Sequence, residues 1–155
     1  MKKMTAQEMN WKNNAMDLCK KYYDARAAYK DDLKMISLLE KKRDEAKTVQ
    51  ERTIIGNGIV EKTKQSEHNA AIVTLFETGL LMIDDQESSV LQQLFSEHKD
   101  WEDISDLQGT AMKRSTVRRL RNSGLIKLGA FMETVTEKLS AHGEYEEVLR
   151  DTVGP

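Results

Sequence analysis

Basic residues within 107–132 carry the clearest chemistry in this sequence. The segment holds six Lys or Arg residues and no Asp or Glu, while the rest of the chain holds 18 basic against 26 acidic residues, a net charge of −8. Guanidinium and ammonium groups bind phosphate, and Arg and Asn side chains also pair with the edges of guanine and adenine. A basic segment in an otherwise acidic chain therefore predicts a local contact with nucleic acid.

The spacing inside this segment separates a cationic face from an apolar one. If a helix starts within 112–115 and ends near 123, Val117, Leu120 and Gly124 lie on one face and the polar residues lie opposite. We expect this helix to enter the major groove of duplex DNA, with arginines reading bases and flanking cations meeting phosphates. The predicted DNA-binding residues are Lys113, Arg114, Ser115, Thr116, Arg118, Arg119, Arg121, Asn122 and Lys127.

A preceding short helix is needed to position this one. Asp100 is a suitable N-cap, and Trp101, Ile104 and Leu107 follow at three-residue spacing. Gly109 is expected to end the first helix, because glycine adopts positive φ readily. The two helices together predict a helix-turn-helix. The alternative is a solvated charged helix in an ordinary bundle.

The N-terminal third predicts one long helix. Residues 1–10 are polar and expected to be frayed, whereas 11–53 lacks Gly and Pro. Eight apolar residues fall on heptad a and d positions, interrupted by Asp32 and Arg43. This stripe suits either a coiled-coil dimer or a helix folded back within the chain. Its members are Ala15, Leu18, Tyr22, Ala25, Tyr29, Ile36, Leu39 and Ala46.

Two glycines around Asn57 predict a hinge at 54–59. A phosphate-binding loop there is disfavoured because the GxxxxGK[ST] spacing is absent. Beyond the hinge, 61–83 and 86–97 predict two further helices, the second supporting the helix-turn-helix. Their expected buried residues are Ile72, Leu75, Phe76, Leu80, Ile83, Val90, Leu91, Leu94 and Phe95.

Residues 125–137 permit two interpretations. The apolar spacing favours a helix, whereas Thr134, Val135 and Thr136 also suit the strands of a small wing. The helix is preferred. Gly143 is expected to end it before a short acidic tail helix at 144–150.

The predicted fold class is all-α, with a long N-terminal helix, as coiled coil or hairpin, and a C-terminal helix-turn-helix domain. The only Pro is the last residue, and aromatic residues are few. We predict a helical N-terminal segment at 1–55, a hinge and connecting helix at 56–83, a DNA-binding domain at 84–140 and a tail at 141–155.

Several protein classes are disfavoured by composition. Cys19 is the only cysteine, so a disulfide framework and a CxxC metal site are excluded, and its place on an apolar stripe predicts burial. Neither a signal peptide nor an apolar run of about 18 residues is present, so we expect a soluble cytoplasmic protein without membrane contact. His98 and its acidic neighbours are metal-ligand types, but helix capping explains the acids. No nucleophile motif or HExxH occurs. We expect no enzyme activity, metal or cofactor.

The central and C-terminal pattern resembles the fourth region of bacterial sigma factors, as found in RinA/ArpU-type phage late-gene transcription regulators. In those proteins "WEEI" opens the first helix, and "S-x-x-V-x-x-L" followed by "AL-x-x-L" forms the recognition helix and its exit. The similarity is strong over 84–130 and looser before it. The matching residues are Asp85, Glu87, Val90, Leu91, Trp101, Glu102, Asp103, Ile104, Ser105, Arg114, Ser115, Thr116, Val117, Leu120, Leu125 and Leu128.

Two departures from that family pattern are present. The connection between Gly109 and Val117 is longer, and Gly124 stands where the family has Ala. An early helix end at Gly124 makes "RLRNSGLI" similar to a MarR-type winged helix instead. Both kinds of protein bind duplex DNA.

The resemblance implies a phage or prophage late-gene activator that binds DNA near a promoter and assists host RNA polymerase. The N-terminal helices are expected to form a homodimer. The alternative is a protein–protein interaction factor, such as an anti-repressor or an RNA polymerase-binding protein. Its contact surface is then the acidic face formed by Glu97, Asp100, Glu102, Asp103 and Asp106.

Overall fold

Four α-helices make up most of the chain. A computed structural model describes residues 3–142, with 141 and 142 described by their backbone alone. The helices are α1 (Ala6–Glu45), α2 (Val49–Leu81), α3 (Asp85–Leu91) and α4 (Arg114–His142). A π-helical turn at Gln92–Ser96 continues α3, and a 3-10 turn at Trp101–Asp103 lies in the connector before α4. Residues 3–142 contain no β-strand, which confirms the all-α prediction. The predicted tail helix at 144–150 lies outside the described residues.

Helix α1 begins with a capping box and is ordered five residues earlier than expected. The Thr5 hydroxyl accepts a hydrogen bond from the Glu8 backbone N–H at 3.0 Å, and the Glu8 carboxylate accepts from the Thr5 N–H at 3.0 Å. These bonds satisfy two backbone donors that a helix start otherwise leaves unpaired. The prediction that 1–10 is frayed is therefore wrong from Ala6 onward.

The chain reverses at residues 46–48, and the hinge predicted at 54–59 is wrong. Helix α1 stops at Ala46, which is extended, and the Thr48 side chain caps α2 by accepting from the Glu51 N–H at 3.1 Å. Gly56 and Gly58 lie inside α2. A helix tolerates a glycine at about 1 kcal/mol when caps and packing hold it. The Thr-x-x-Glu pattern at 48–51 was the sequence signal for the true turn.

Helices α1 and α2 form an antiparallel hairpin that encloses much of the core. Tyr22 and Phe76 stack with ring centroids 4.0 Å apart. The first four heptad residues of α1 are buried within the chain, so the predicted stripe packs inside a hairpin. All five apolar residues predicted to be buried in α2 and just after it are buried. The largest cluster contains Ala15, Leu18, Cys19, Tyr22, Ala25, Ile72, Leu75, Phe76, Leu80, Ile83, Leu91, Leu125, Leu128 and Met132.

Asp32, which interrupts the heptad stripe, is buried at the hairpin contact. Its carboxylate accepts a hydrogen bond from Asn69 Nδ2 at 3.0 Å and lies 3.7 Å from Lys62 Nζ. A buried carboxylate is tolerated only where partners replace water. The polar interruption therefore pairs α1 with α2 at one defined register.

Helix α4 is continuous from Arg114 to His142, so the predicted end near 123 and the wing at 125–137 are both wrong. The preferred helical interpretation of 125–137 is confirmed. Gly124 does not end the helix. A β-carbon at that position would lie 3.2 Å from Glu87 Cβ and 3.2 Å from Leu91 Cδ1, so the glycine allows α3 to approach α4 closely.

Helix α4 lies directly against the backbone of the start of α1. A β-carbon on Gly129 would overlap the backbone carbonyl of Trp11, and the Trp11 indole N–H donates to the Glu133 carboxylate. Only glycine fits at this crossing. The C-terminal half of α4 is thereby held against the hairpin.

Replacement of Gly129 by Ala tests this crossing. The new methyl group meets backbone atoms, which cannot move aside as a flexible side chain does, so we expect Gly129→Ala to lower the free energy of unfolding by about 1–3 kcal/mol or more. Urea denaturation followed by circular dichroism measures the loss.

Gly56→Ala is the matched control. Nothing lies within 4 Å of a β-carbon at Gly56 in α2. We expect this change to raise stability by roughly 0.5–1 kcal/mol through helix propensity. An equal change in the free energy of unfolding of the two variants would contradict the proposed crossing.

Candidate nucleic-acid interface

A second, smaller core positions the first turns of α4. Val117 and Leu120 project from α4 and are buried with Val90 of α3 and Ile104 of the connector. Leu94, Trp101 and Met112 pack around them at partial exposure. The predicted inward face of α4, formed by Val117, Leu120 and Gly124, is therefore confirmed.

The first helix of the predicted helix-turn-helix is not formed. Only Trp101–Asp103 makes a single 3-10 turn, and residues 104–112 fold into a small loop closed by a bridge between Ser105 and Ala111. Asp106 Oδ1 accepts from the N–H groups of Gln108 and Thr110, both at 2.9 Å, and Gly109 has a φ of +84°. These turn contacts compete with helix formation.

Gln93 holds the connector in place and was missed at the sequence level. Its side chain donates from Nε2 to the Ser105 carbonyl at 2.8 Å and accepts from the Ser105 N–H at 3.1 Å. The side-chain amide thus pairs with both the N–H and the carbonyl of the Ser105 backbone, as the backbone of a neighbouring β-strand would. No signal in the sequence indicated this role, because the burial of Gln93 is visible only in the structure. The resulting unit is a helix, a 17-residue connector and a long helix.

Most of the predicted DNA-binding residues lie on the outer face of the first turns of α4 or just before it. Lys113, Arg114, Ser115, Arg118 and Arg119 are exposed. The side chains of the four cations of this set form no hydrogen bond or ion pair with a described residue. Thr116 and Asn122 are half-buried. We call Lys113, Arg114, Ser115, Arg118 and Arg119 the cationic face.

Arg121 lies at the edge of this face and is partly covered. Its guanidinium carbon lies 4.8 Å from the centroid of the Trp101 ring, and its Nη2 donates to Asn122 Oδ1 at 3.1 Å. Burial and the positive charge of Arg118 lower the pKa of Arg121. The contact with Asn122 occupies one acceptor site of the amide oxygen that adenine recognition uses.

Lys127 contacts acidic residues of α3 and its cap. Its Nζ lies 2.8 Å from Glu87 Oε1 and 3.0 Å from Asp84 Oδ2. Hydrogen bonding to these carboxylates raises the pKa of Lys127, and hydrogen bonding to Lys127 lowers the pKa of Asp84. Glu87 is buried, with its side chain 3% exposed. Lys127 therefore fastens α4 to α3, and we leave it out of the cationic face.

Three acidic residues of the connector are sequence neighbours of Trp101, whose ring covers Arg121. Glu97, Asp100, Glu102 and Asp103 are exposed, whereas Asp106 serves the turn described above. His98 stacks on Tyr23 of α1 at 3.9 Å between centroids, and Arg26 donates to the Ser96 hydroxyl at 3.0 Å. Within the described part of the chain, no group of three His, Cys, Asp or Glu side chains is arranged to hold a metal ion.

Comparison of the chain with protein-family models, with curated proteins and with solved structures gives no match in any of the three. The resemblance to RinA/ArpU-type regulators therefore stays a prediction. Among the helices described, none is both long enough and apolar enough to cross a membrane. The geometry of the cationic face is the main observation that bears on function.

Removal of Lys127 tests its structural role. Lys127→Ala leaves the Glu87 carboxylate buried without its cation, and an unpaired buried group costs about 1–3 kcal/mol. Because the Lys127 side chain is 45% exposed, water replaces part of the interaction, and we expect the free energy of unfolding to fall by about 1 kcal/mol. Lys113→Ala is the control, with an expected change within about 0.5 kcal/mol. Urea denaturation measures both.

The difference in the free energy of unfolding between the native protein and Lys127→Ala should also depend on pH. The lowered pKa of Asp84 gives stability that is present above its ordinary value and lost as pH falls through the lowered one. The raised pKa of Lys127 gives stability that is lost only as pH rises through it. We expect the largest difference near neutral pH. A difference that is constant from acid to alkaline pH would contradict this assignment.

Proposed function

We propose that this chain binds duplex DNA through the cationic face of α4 and regulates transcription in that way. One observation carries the proposal: Arg118 and Arg119 are exposed without any carboxylate partner among described residues, while Val117 and Leu120 of the same turns are buried. A helix anchored on one side and cationic on the other suits the major groove, which is about 12 Å wide.

The distribution of charge supports DNA binding at one defined surface over nonspecific attraction of polyanions to the whole protein. The chain as a whole has a formal net charge of −2, so it does not attract polyanions everywhere. The segment 107–132 holds six Lys or Arg residues and no Asp or Glu, and of these six only Lys127 forms an ion pair with a described residue. A local positive potential of this kind orients a protein on DNA. Phosphate contacts then set the position of the helix and base contacts set specificity.

Three finer proposals come from the sequence, the first two from the family resemblance and the third from the heptad spacing of the N-terminal helix. They are late-gene activation in a phage or prophage, assistance to host RNA polymerase, and a homodimer. Selection of bound sequences from a random duplex pool tests the last of these. A two-fold dimer gives a palindrome with half-sites about one helical turn apart, or a multiple of that spacing, whereas a monomer gives a single asymmetric site.

A protein–protein interaction factor is the second candidate. The exposed connector acids Glu97, Asp100, Glu102 and Asp103 favour it, because they form no ion pair with a described residue. The two candidates differ in their affinity for polyanions. A DNA-binding protein is retained on a heparin or duplex-DNA column at low salt, whereas a factor that uses the acidic face flows through.

Single substitutions on the cationic face test the proposal. We expect Arg118→Ala and Arg119→Ala each to weaken binding to the selected duplex by about 1–3 kcal/mol if they contact bases. Lys113→Ala should weaken all duplexes alike and reduce the salt dependence. Gel-shift titrations at several salt concentrations measure both effects.

Arg43→Ala, at the end of α1 in the hairpin tip, is the matched control and should leave binding unchanged. Thermal unfolding of all four variants shows whether each one keeps the native fold. Unaltered affinity in both Arg118→Ala and Arg119→Ala would refute this placement of the DNA surface.

A further inference from the structure

Arg121 is held in a fixed orientation by its neighbours. The Trp101 ring covers one side of its guanidinium at 4.8 Å, and Asn122 Oδ1 accepts from Nη2 at 3.1 Å. A cation over an aromatic face is attracted by the ring electrons. Because these contacts limit the motion of a long side chain, less conformational entropy is lost when a ligand binds.

The interactions of Arg121 within the protein are incomplete. Its Nε is buried and has no hydrogen-bond partner among described residues. Nor does the guanidinium form an ion pair there, although Glu102 and Asp103 flank Trp101 on the same turn. Buried polar groups are nearly always paired, and an unpaired one is costly.

Arg118 adds a second positive charge beside Arg121. The two residues are three positions apart on α4, where side chains are neighbours about 5–6 Å apart at their β-carbons. Burial and the charge of Arg118 lower the pKa of Arg121, so the pair repels in the free protein. An anion that contacts both guanidinium groups removes this repulsion. Guanidinium groups match the oxygens of phosphate in geometry as well as charge.

We propose that Arg118 and Arg121, with the Trp101 ring as one wall, form a binding site for a single phosphate group. The site deepens the proposed function and rests on it for the source of the ligand: a phosphate of the DNA backbone, which leaves Arg119 as the base-contacting arginine of the cationic face. Arg121 is then a phosphate contact that sets the position of α4 in the groove. Asn122, bonded to Arg121, is a positioning residue for that contact.

The first test follows the arginine side chains of the full chain by nuclear magnetic resonance. Because Nε of Arg121 is buried, its N–H signal should be visible and is assigned by its absence in Arg121→Lys. Inorganic phosphate is added at constant ionic strength, with chloride as the matched anion. We expect the Arg121 signal to shift saturably with phosphate and to stay unchanged with chloride. Absence of a phosphate-specific shift would overturn the site.

The second test identifies the source of the phosphate group. Duplex affinity is measured against salt for the native chain, Arg121→Gln and Trp101→Leu, each with native thermal unfolding. If the backbone supplies the phosphate, Arg121→Gln lowers the slope of log affinity against log salt by about one and weakens all sequences alike. Trp101→Leu keeps the charge but frees the side chain, so affinity falls while the slope is retained.

The outcomes separate this inference from the proposed function. A phosphate-specific shift in a protein that binds no duplex supports the site, assigns it to a free phosphate compound and refutes the DNA proposal. Duplex binding with an unchanged slope in Arg121→Gln, together with no phosphate shift, refutes the site and leaves the DNA proposal standing. If Arg121→Gln unfolds, the phosphate titration of the native chain decides, since it does not require that variant.

Discussion

The close approach of α4 to α1 is the contact on which the rest of the structure depends. At Gly129 the absence of a side chain lets α4 lie on the backbone of Trp11. This crossing secures the C-terminal half of a 29-residue helix against the hairpin. The first turns of the same helix then need only the small cluster around Ile104 and Val117 to be held with their opposite face in solvent. A continuous helix transmits the rigidity of the core to its charged end.

A few neighbouring residues of α1 contact α2, the connector and the π-helical turn. Tyr22 stacks on Phe76 in the core, Tyr23 stacks on His98 of the connector, and Arg26 bonds to Ser96 at the end of the π-helical turn. Hairpin, connector and π-turn therefore meet within two turns of one helix.

Electrostatics divide the basic residues of 107–132 into two groups. Lys127 is paired with Glu87 and Asp84, so its charge contributes to packing between α3 and α4. The arginines nearer the start of the helix lack such partners, and Arg118 raises the electrostatic energy of Arg121. Only the second group retains a charge that a ligand can use. A count of charges in the sequence does not distinguish the two.

The sequence by itself determined the helical fold class, the buried faces of α1, α2 and α4, and the exposure of Arg118 and Arg119. These follow from helical periodicity, which depends only on residues three or four positions apart. The Thr48 cap indicated the turn at 46–48, although the glycines at 56 and 58 suggested a turn at 54–59. Tertiary structure alone decided the loop in place of the first short helix and the partners of Arg121 and Lys127. In each case the local preference was weak, since a glycine inside a helix costs only about 1 kcal/mol. Contacts with distant residues such as Gln93 and Glu87 outweighed this preference.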